Sequence, residues 1–456
     1  MNVKIVIPLI SLNSATAGYN EMLASELAAI CNKNQVDFSL HYNFVDTFAD
    51  IYLFPVQWRH DIFSDHFKKT VKECRKLGGI TVACGLTASV EYQYILNNYP
   101  IDFVILGEAD FVFDNILKQC ASCNDYGKLK EQLCSVKGIA YRDRDSIITK
   151  FSNKQPPLDS LPYPTYEYLG NKQIQYPVCV MSTSRSCHGK CSFCAANLFR
   201  ACSPDNTYRA KSPKRVADEV EYVIKSYNYR VFSFCDDNFF VDGSTIAKQR
   251  AINIANEIIK RKLRLRFTIE CRADDVDKEI FILLKKAGLY KVFIGIETGA
   301  QSVLDRYHKG VTVEQNHKAL QILRDVNIKC QPGYILFDPR TTKSELWQTV
   351  HFFEQYSDVW FSYKDGYDEK KLFFTRNAPI LNCFWPDKDD DFYNRICYDG
   401  LDLEYYDTEA KCLFEIFLKV YRDPNLYPEC NAMERHLYCL RHALEEYENV
   451  NNKTEC

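Results

Sequence analysis

The chain has 456 residues, of which 46% are hydrophobic and 26% are charged, and its net charge is −3. This balance is typical of a folded globular protein of two or three domains and excludes a disordered chain. The charge offers no basic surplus for nucleic acid or anionic lipid, no apolar run is long enough for a membrane-spanning helix, and the first residues carry no cleavage-site pattern. We therefore expect a cytoplasmic protein without a nucleic-acid or membrane partner, and we expect its 20 cysteines to be reduced thiols.

Residues 1–145 alternate short apolar runs with helical patterns. The helical patterns cover 21–30 and 66–77, and the strand candidates are 3–9, 49–55, 80–83 and 103–106. Alternation of this kind predicts an α/β domain with a doubly wound, Rossmann-like parallel sheet, which binds ligands at the carboxyl ends of its strands. The stretch between His41 and Ala49 is too short for a crossover helix. We therefore expect a shortened version of this fold.

A second and more regular α/β series is predicted over 177–365, after a proline-rich linker at 146–176. Its strand candidates are 178–183, 231–235, 265–271, 292–296, 333–337 and 359–363. Ser212-Pro213 opens one of its helices, and Asp277 opens another that ends at Gly288. Six strand and helix pairs predict a (β/α)6 partial TIM barrel with its chemistry at the carboxyl strand ends. Residues 366–456 are predicted to be mainly helical, with helices near 409–420 and 433–447.

Three cysteines follow the first strand of this second series, in the segment SRSCHGKCSFC: Cys187, Cys191 and Cys194. Three thiolates from one short loop can hold three irons of a cubane cluster and leave the fourth iron open for a ligand. Zinc is the main alternative, but structural zinc normally has four ligands, and no second CxxC pair stands at zinc-finger spacing. His188 would close the site as a fourth ligand, and we disfavour it because it lies directly beside Cys187. A zinc scaffold built on Cys120, Cys123 and Cys134 is a weaker alternative.

The spacing C-x3-C-x2-C, with Phe193 before the third cysteine, resembles the signature of the radical S-adenosylmethionine (SAM) superfamily. Five further segments resemble its subgroup with an amino-terminal cobalamin-binding-type domain: YRAKSP at 208–213, FCDDNFF at 234–240, CRADDV at 271–276, GIETGAQSVL at 295–304 and GYILFDPRTT at 333–342. The resemblance implies that SAM chelates the open iron of a [4Fe-4S] cluster through its methionyl amine and carboxylate. The cluster then cleaves SAM reductively, and the resulting 5'-deoxyadenosyl radical abstracts hydrogen from the substrate.

The resemblance also gives roles to polar residues at the strand ends. Asp236, Asp237 and Asn238 would bind the cationic methionyl amine, with the alternative that they cap the next helix. Glu297 would bind the ribose hydroxyls, and Thr298 would allow close approach of the ligand. The alternative for Glu297 is a salt bridge to a barrel lysine or arginine.

Further positions complete the SAM site that the resemblance implies. Arg272 would offer its fork to the methionyl carboxylate or to the substrate. The stretch from Gly333 to Leu336 would lie against adenine, and the aromatic Phe193 would contact the cofactors. The segment FDP at 337–339 departs from the more usual glycine-rich form of this position, which leaves the shape of that loop open.

The first domain leaves the reaction open. ACGLTAS and FVILGEAD resemble the last two strand and loop units of cobalamin-binding domains, but the sequence lacks the D-x-H-x-x-G that supplies a lower axial histidine. Cobalamin therefore stays open as a cofactor. The shortened domain favours a hydrogen-abstracting enzyme that epimerises, dehydrates or rearranges a peptide or natural product. The alternatives are a cobalamin-dependent radical SAM methyltransferase and a non-catalytic scaffold that retains the cluster.

Epimerisation would need a group that returns a hydrogen atom to the substrate, and a thiol is suited to this because its S–H bond is weak. Cys383 is the first candidate and Cys271 the second, with the alternative that each is a small buried hydrophobic residue. The cluster must also be reduced before it can cleave SAM. We expect a flavodoxin- or ferredoxin-type reductase as the electron donor.

Overall fold

The structure is a computed structural model. It describes residues 1–8, 18–58, 61–62, 64–120, 126–152, 155–171, 176–202, 208–360, 407–422 and 432–454. The chain forms two compact units. The first comprises Met1–Cys187, Ala195–Asp242 and Asn256–Leu265, and the second comprises His188–Cys194, Gly243–Ala255 and Arg266–Cys456.

The first unit contains a seven-stranded sheet in the order β2-β1-β3-β4-β5-β6-β7. Its strands are β1 (Asn2–Ile7), β2 (Asp37–Tyr42), β3 (Ile51–Pro55), β4 (Ile80–Cys84), β5 (Phe103–Ile105), β6 (Ile139–Asp143) and β7 (Ser146–Lys150). Strands β1 to β5 pair in parallel, whereas β6 is antiparallel to both β5 and β7. The parallel part has the order of the flavodoxin-like doubly wound fold, in which the strand order reverses between β1 and β3.

Helices accompany this sheet along the chain. They are α1 (Tyr19–Lys33), α2 (Asp65–Leu77), α3 (Leu86–Val90), α4 (Tyr92–Asn98), α5 (Ala109–Cys120) and α6 (Tyr126–Ser135). Neighbouring strand residues enter different apolar cores: Ile5 and Leu53 pack in one, and Val6 and Phe54 pack in the other. Because successive side chains point to opposite faces of a strand, the central strands of the sheet are buried on both faces, as is typical of parallel sheets.

The predicted doubly wound sheet is confirmed, and residues 43–50 contain no helix, so the domain is shortened as expected. The sequence analysis misses β2, although its alternation of polar and apolar residues is a signal for a half-buried strand. It also misses the β6 and β7 hairpin. Strand β7 lies inside the predicted linker, so the sheet extends to Lys150. The domain boundaries at 145, 176 and 365 stay a prediction.

The rest of the first unit contains two strands of the second α/β series, β8 (Cys179–Met181) and β11 (Val231–Phe234), which pair in parallel. Between them lie a short antiparallel pair, β9 (Ser184–Arg185) with β10 (Arg209–Ala210), and the helices α7 (Ala195–Ala201) and α8 (Pro213–Tyr227). Gly18, directly before α1, has φ of 101°, and a Cβ there would lie 2.6 Å from Val180 Cγ2. Helix α1 therefore begins in close contact with β8, and only glycine fits there.

The second unit contains three parallel strands, β12 (Arg266–Arg272), β13 (Leu289–Glu297) and β14 (Lys329–Tyr334). Cys330 of β14 also forms a parallel bridge with Trp360. The remaining helices are α9 (Thr245–Lys260), α10 (Lys278–Ala287), α11 (Gln301–Arg306), α12 (Val313–Val326), α13 (Lys343–Glu354), α14 (Thr408–Arg422) and α15 (Ala432–Thr454). Helix α9 runs from the second unit into the first.

The predicted α/β series is confirmed, and the C-terminal region contains helices over its described residues. Of the sixth predicted strand, 359–363, the structure describes only residues 359 and 360, and residues 361–363 lie outside the described part. Ser212 caps α8, and Asp277 and Gly288 bound α10. The strand predicted at 333–337 is placed too late in the sequence, because β14 covers Lys329–Tyr334. Pro332 makes the first part of this strand hard to recognise in the sequence, because proline is disfavoured inside a central strand. None of the described helices has an apolar stretch that could cross a bilayer.

Candidate functional site

The loop after β9 carries the three predicted cluster cysteines. Cys187 ends a segment of the first unit, whereas Cys191 and Cys194 lie in the second. Cys191 is buried, and Cys187 and Cys194 keep partial exposure. None of the described cysteines forms a disulfide. The structure therefore has a loop with three free thiols, of the kind that a metal cluster binds as thiolates, and their binding of a cluster stays a prediction.

Contacts within each unit hold this loop in shape. Ser192 N donates to Tyr307 O at 2.9 Å, and the Phe193 ring packs edge-on against the Tyr307 ring with 5.4 Å between centroids. In the first unit, Arg200 on α7 donates from Nη1 to Cys187 O at 2.6 Å. Phe193 thus supports the loop by packing, and its contact with a cofactor stays a prediction.

Within the described residues, no three His, Cys, Asp or Glu side chains converge on a point where one metal ion could bind. A single zinc ion needs its ligands within about 2.3 Å, whereas a cubane cluster spreads its three cysteines over three irons. The donor set of the loop fits a [4Fe-4S] cluster. Of the alternative zinc set, Cys120 is buried and Cys123 lies outside the described residues.

Asp236 joins the carboxyl ends of β11 and β8. Its Oδ1 accepts from the backbone N of Thr183 and of Ser184, both at 2.6 Å, and its Oδ2 accepts from Thr183 Oγ1. The residue is 1% exposed. Both carboxylate oxygens are therefore engaged inside the protein, which favours a positioning role. Direct contact with a methionyl amine stays a prediction for Asp236.

The neighbours of Asp236 have different surroundings. Asn238 is fully buried, and its Oδ1 accepts from Phe240 N at 3.3 Å within the turn after the strand. Asp237 keeps solvent exposure although protein surrounds it, and burial together with the charge of Asp236 raises the pKa of its carboxyl to about 6. The next helix, α9, begins only at Thr245, so these residues do not cap it. Asp237 is the residue of the three best placed for an amine.

Arg272, at the end of β12, is buried and held by protein acceptors. Its Nε donates to Asp274 Oδ1 at 3.0 Å, and its Nη2 donates to Asp274 Oδ2 at 3.2 Å and to Lys309 O at 2.8 Å. Its Nη1 donates to Cys191 Sγ at 3.7 Å. The fork expected for a SAM carboxylate is therefore directed at Asp274 and at a cluster cysteine, and the role that the resemblance implies stays a prediction.

Glu297, at the end of β13, forms a buried ion pair with Lys309. Lys309 Nζ lies 2.7 Å from Glu297 Oε1, and each residue is 6% exposed. The ion pair matches the alternative that the sequence left open for Glu297, and a ribose contact through its other oxygen stays a prediction. No strand end or motif marks Lys309 in the sequence, so it is the residue of this site that sequence analysis misses.

The backbone around Glu297 is adapted to this pair. Glu297 has φ of 66°, a conformation that non-glycine residues rarely adopt and that concentrates at functional sites. A Cβ on Gly295 would lie 2.4 Å from Glu297 Oε1 and 2.6 Å from Lys309 Nζ. Glycine at 295 therefore leaves the space in which the two side chains meet.

The remaining SAM candidates lie around β13 and β14. Thr298 Oγ1 is 2.8 Å from Thr349 Oγ1, which ties it to α13. Gly333 pairs with Gly295 across the two strands, and a Cβ there would lie 2.7 Å from Phe293 Cζ. Leu336 follows the end of β14 and packs against the core of the C-terminal helices. Contact of these residues with SAM stays a prediction.

Asp338 holds the FDP segment at 337–339 in place through hydrogen bonds of its carboxylate. The residue is fully buried, and its Oδ2 accepts from Arg306 Nη2 at 2.9 Å and from Tyr307 Oη at 2.8 Å. Its Oδ1 accepts from Arg340 N at 2.7 Å. A carboxylate network therefore shapes this loop in place of glycines.

Of the two candidate hydrogen donors, Cys271 lies within the described residues. Cys271 is 5% exposed on β12, and burial raises the pKa of its thiol well above the usual value, so it keeps its S–H proton. Cys383 lies outside the described residues. Both assignments stay predictions.

The carboxyl edge of the N-terminal sheet is organised by Ser89 on α3. Its Oγ donates to Gly85 O at 2.8 Å and to Ile105 O at 3.2 Å, and it accepts from Gly107 N at 3.0 Å. The loops after β4 and β5 are thereby joined, with a glycine in positive φ on each. Helix α7 packs on α3 at this edge, and Cys202 Sγ donates to Ser89 O at 3.4 Å.

Next to this edge lies a buried network that we call the Arg185 network. Arg185 Nη1 lies 2.6 Å from Glu108 and also contacts Asp110, while Nη2 lies 3.1 Å from Glu26. Arg209 adds a second cation on Glu108. Burial raises the pKa of Glu26 to about 7 even though Arg185 lowers it. The network links the N-terminal sheet to the segment directly before Cys187.

The second α/β series is similar to a known protein family. Residues 181–353 match the profile of the Radical SAM superfamily. The anaerobic magnesium-protoporphyrin IX monomethyl ester cyclase of Rubrivivax gelatinosus is 30% identical over 280 residues, which cover 59% of this chain and 48% of that protein. The chain spans about half the length of the curated relatives it matches.

Two solved structures share the fold over most of this chain. The cobalamin-dependent radical SAM enzyme OxsB, with aqua-cobalamin bound, has a TM-score of 0.64 at 18% identity and covers 94% of this chain and 63% of its own. The radical SAM methyltransferase TsrM from Kitasatospora setae, with cobalamin and a [4Fe-4S] cluster bound, has a TM-score of 0.63 at 15% identity and covers 78% and 73%. The cysteine loop and the profile match indicate a radical SAM domain over residues 181–353, and the chain has the fold of these two solved enzymes over most of its length.

Proposed function

We propose that the chain is a cytoplasmic, cobalamin-dependent radical SAM methyltransferase that acts on a small molecule or peptide. The carboxyl edge of the N-terminal sheet carries this proposal. Five parallel strands in the flavodoxin-like order end there, and α7, which begins at the residue after Cys194, packs on α3 at the same edge. Since doubly wound sheets bind ligands at this edge, a cobalamin there would lie close to α7, which directly follows the cysteine loop in the chain.

The relatives support this choice over hydrogen abstraction alone. OxsB and TsrM have cobalamin bound in their structures, and TsrM is described as a methyltransferase. The hopanoid C-3 methylase of Methylococcus capsulatus is 29% identical over 175 residues. Sequence analysis favoured hydrogen abstraction because the first domain is shortened. The structure weakens that argument, because the missing crossover helix leaves all five parallel strands of the ligand edge in place.

The residues of the chain would have three roles, in binding the cluster, SAM and cobalamin. Cys187, Cys191 and Cys194 would hold three irons, and Asp237 would hold the methionyl amine. When bound, the cluster supplies the electron that cleaves SAM, and cobalamin supplies the carrier for a methyl group. The glycine loops after β4 and β5 would let cobalamin approach the backbone. A flavodoxin- or ferredoxin-type protein would reduce the cluster from outside.

A second candidate is ring formation or rearrangement by hydrogen abstraction without methyl transfer. The similarity to the Rubrivivax cyclase favours it, because that relative reaches 30% identity. The two candidates differ in their products from SAM. Methyl transfer yields S-adenosylhomocysteine, whereas abstraction alone yields 5'-deoxyadenosine without it.

The first experiment reconstitutes the cluster anaerobically with and without hydroxocobalamin, adds dithionite and SAM, and measures both products. We expect 5'-deoxyadenosine that is lost in Cys191→Ala, and S-adenosylhomocysteine that depends on cobalamin. Deoxyadenosine that needs no cobalamin, with no S-adenosylhomocysteine at all, would favour the second candidate. A wild type that forms neither product with any tested substrate would support the scaffold alternative.

A pair of variants tests the ligand edge itself. Leu86, the first residue of α3, is partly exposed just after β4, and Leu77 is partly exposed just before it. We expect Leu86→Arg to weaken the binding of hydroxocobalamin at least tenfold in equilibrium dialysis. Leu77→Arg places the same change at the opposite end of the strand and should leave binding unchanged. Equal binding by both variants would rule out the edge as the cobalamin site.

A further inference from the structure

We infer that Arg272 is a positioning residue of the cluster, whose hydrogen bond to the sulfur of Cys191 favours the reduced cluster. The inference rests on the radical SAM part of the proposed function and is independent of cobalamin and methyl transfer. It differs from the role that the family resemblance implies for Arg272, which is to bind the carboxylate of SAM.

The geometry of the guanidinium fixes the direction of this hydrogen bond. The guanidinium donates two hydrogen bonds to the Asp274 carboxylate, from Nε at 3.0 Å and from Nη2 at 3.2 Å. Nη2 also donates to the backbone O of Lys309 at 2.8 Å. These contacts leave Nη1 directed at Cys191 Sγ, 3.7 Å away. Because Arg272 is 6% exposed, water competes little with this contact. The donor is thus held in place before a cluster binds.

A second buried cation lies beside the same cysteine. Lys309 Nζ lies 2.7 Å from Glu297 Oε1 and 5.8 Å from the centroid of the Phe193 ring. Burial lowers the pKa of Lys309, but Glu297 and the charge of Cys191 outweigh it, so that the pKa is raised. Lys309 therefore carries its positive charge next to the cluster loop. We call Arg272, Asp274, Glu297 and Lys309 the Arg272 network.

Reduction adds a negative charge to a cluster that three thiolates already make negative. In a buried site this extra charge is strongly unfavourable unless donors or cations stabilise it. Hydrogen bonds to the sulfurs and local charge are among the main factors that set the potential of iron–sulfur clusters. A fixed N–H donor on Cys191 Sγ should therefore make the cluster easier to reduce.

The test is a potentiometric titration of the reconstituted full-length protein, followed by the EPR signal of the reduced cluster, in the absence of SAM. The variants are Arg272→Gln, which removes the charge and the fork, and Arg272→Lys, which keeps the charge and removes the fork. Arg266→Gln is the matched control, because Arg266 lies on the same strand but is exposed and stacks on Tyr290.

We expect the ratio of reduced to oxidised cluster at a fixed potential to fall about tenfold in Arg272→Gln, which equals 59 mV for a one-electron couple. Arg272→Lys should lower the ratio about threefold, since only the directed donor is lost. Arg266→Gln should match the wild type. The conservative lysine variant keeps the test decisive if Arg272→Gln does not retain a cluster.

Each outcome decides the inference. A wild-type ratio in Arg272→Lys, or in a cluster-loaded Arg272→Gln, would overturn it. If those variants titrate normally but bind SAM more weakly, Arg272 has the carboxylate-binding role instead. A wild type without an EPR-active cluster would overturn both the inference and the radical SAM assignment. If the variants show the expected shifts but the wild type forms no S-adenosylhomocysteine, methyl transfer is removed from the proposed function and the inference stands.

Discussion

Each unit of the molecule buries an ionic network, and the two networks differ in what surrounds the arginine. In the first unit, three carboxylates from the N-terminal domain meet Arg185, which lies two residues before Cys187. In the second unit, Arg272 meets the carboxylate of Asp274 and directs another N–H at Cys191 Sγ. The comparison shows that similar residues join segments in one place and, in the other, direct a hydrogen-bond donor at a predicted cluster cysteine.

The largest effect is expected from removing the cation of the joining network. Arg185→Leu would leave Glu26, Glu108 and Asp110 buried without their shared partner, and breaking a buried ion pair in this way destabilises a protein by about 3–5 kcal/mol. Chemical denaturation followed by circular dichroism would measure this loss. An Arg185→Leu protein as stable as the wild type would mean that the network contributes nothing to joining the segments.

In the Arg272 network, the pair of Lys309 and Glu297 can be broken separately. Lys309→Met leaves the Glu297 carboxylate buried alone, and we expect a loss of about 3 kcal/mol in the free energy of unfolding. The double variant with Glu297→Leu removes both charges and should recover most of that loss. A double variant as unstable as the single one would show that the pair acts by packing and not by charge.

Asp61 lies outside both networks and gives a pH-dependent contrast. It is 2% exposed, accepts from Asn20 Nδ2 at 3.0 Å, and burial raises its pKa from 3.8 to about 7. The folded protein therefore binds an extra proton between these values, so this carboxyl makes folding less favourable as pH rises from 3.8 to about 7. We expect Asp61→Asn to stabilise the protein by roughly 1–3 kcal/mol at alkaline pH, and not at acidic pH. Thermal unfolding at both pH values checks the sign, and an equal shift at both would exclude titration of Asp61 as the cause.

The smallest effect is expected at the surface. Arg324 and Asp358 form a 2.6 Å ion pair whose side chains are 33% and 59% exposed. Since solvent screens such pairs, Arg324→Gln should change the free energy of unfolding by less than about 1 kcal/mol. The same denaturation experiment measures this change, and the variant serves as the exposed reference for the two buried networks. If Arg324→Gln lowered the free energy of unfolding as much as Arg185→Leu, burial would not explain why the buried networks contribute more than the surface pair.

Regular elements with local signals could be predicted from the sequence. Ser212, Asp277 and Gly288 mark helix ends by local hydrogen bonding and backbone conformation, so the helices they bound appear where expected. The offset of β14 has a local cause as well, since Pro332 masks a strand that pairing with β13 holds in place. Pairing with a distant strand sets the position of β14, and a short window of sequence does not contain that information.

The site could be predicted in its residue types but not in its partners. The cysteine spacing identifies the cluster loop, because three ligands lie within one short segment. The partner of Glu297 is Lys309, twelve residues later and on no strand end, and the donor to Cys191 Sγ is Arg272, 81 residues later. Such contacts depend on how distant segments pack, so the sequence could propose a salt bridge for Glu297 without naming its partner.

The packing of α7 on the N-terminal sheet has a consequence for recombination between relatives. Cys202, just past the end of α7, is part of the apolar core beneath α3. A chimaera joined at the proline-rich segment before β8 would combine the α7 of one parent with the α3 of another and mismatch this core. A breakpoint after residue 202 would transfer the N-terminal sheet together with the helix that follows the cysteine loop. An amino-terminal segment exchanged without disturbing this core would therefore be longer than the Rossmann-like domain and would include the cysteine loop in its sequence.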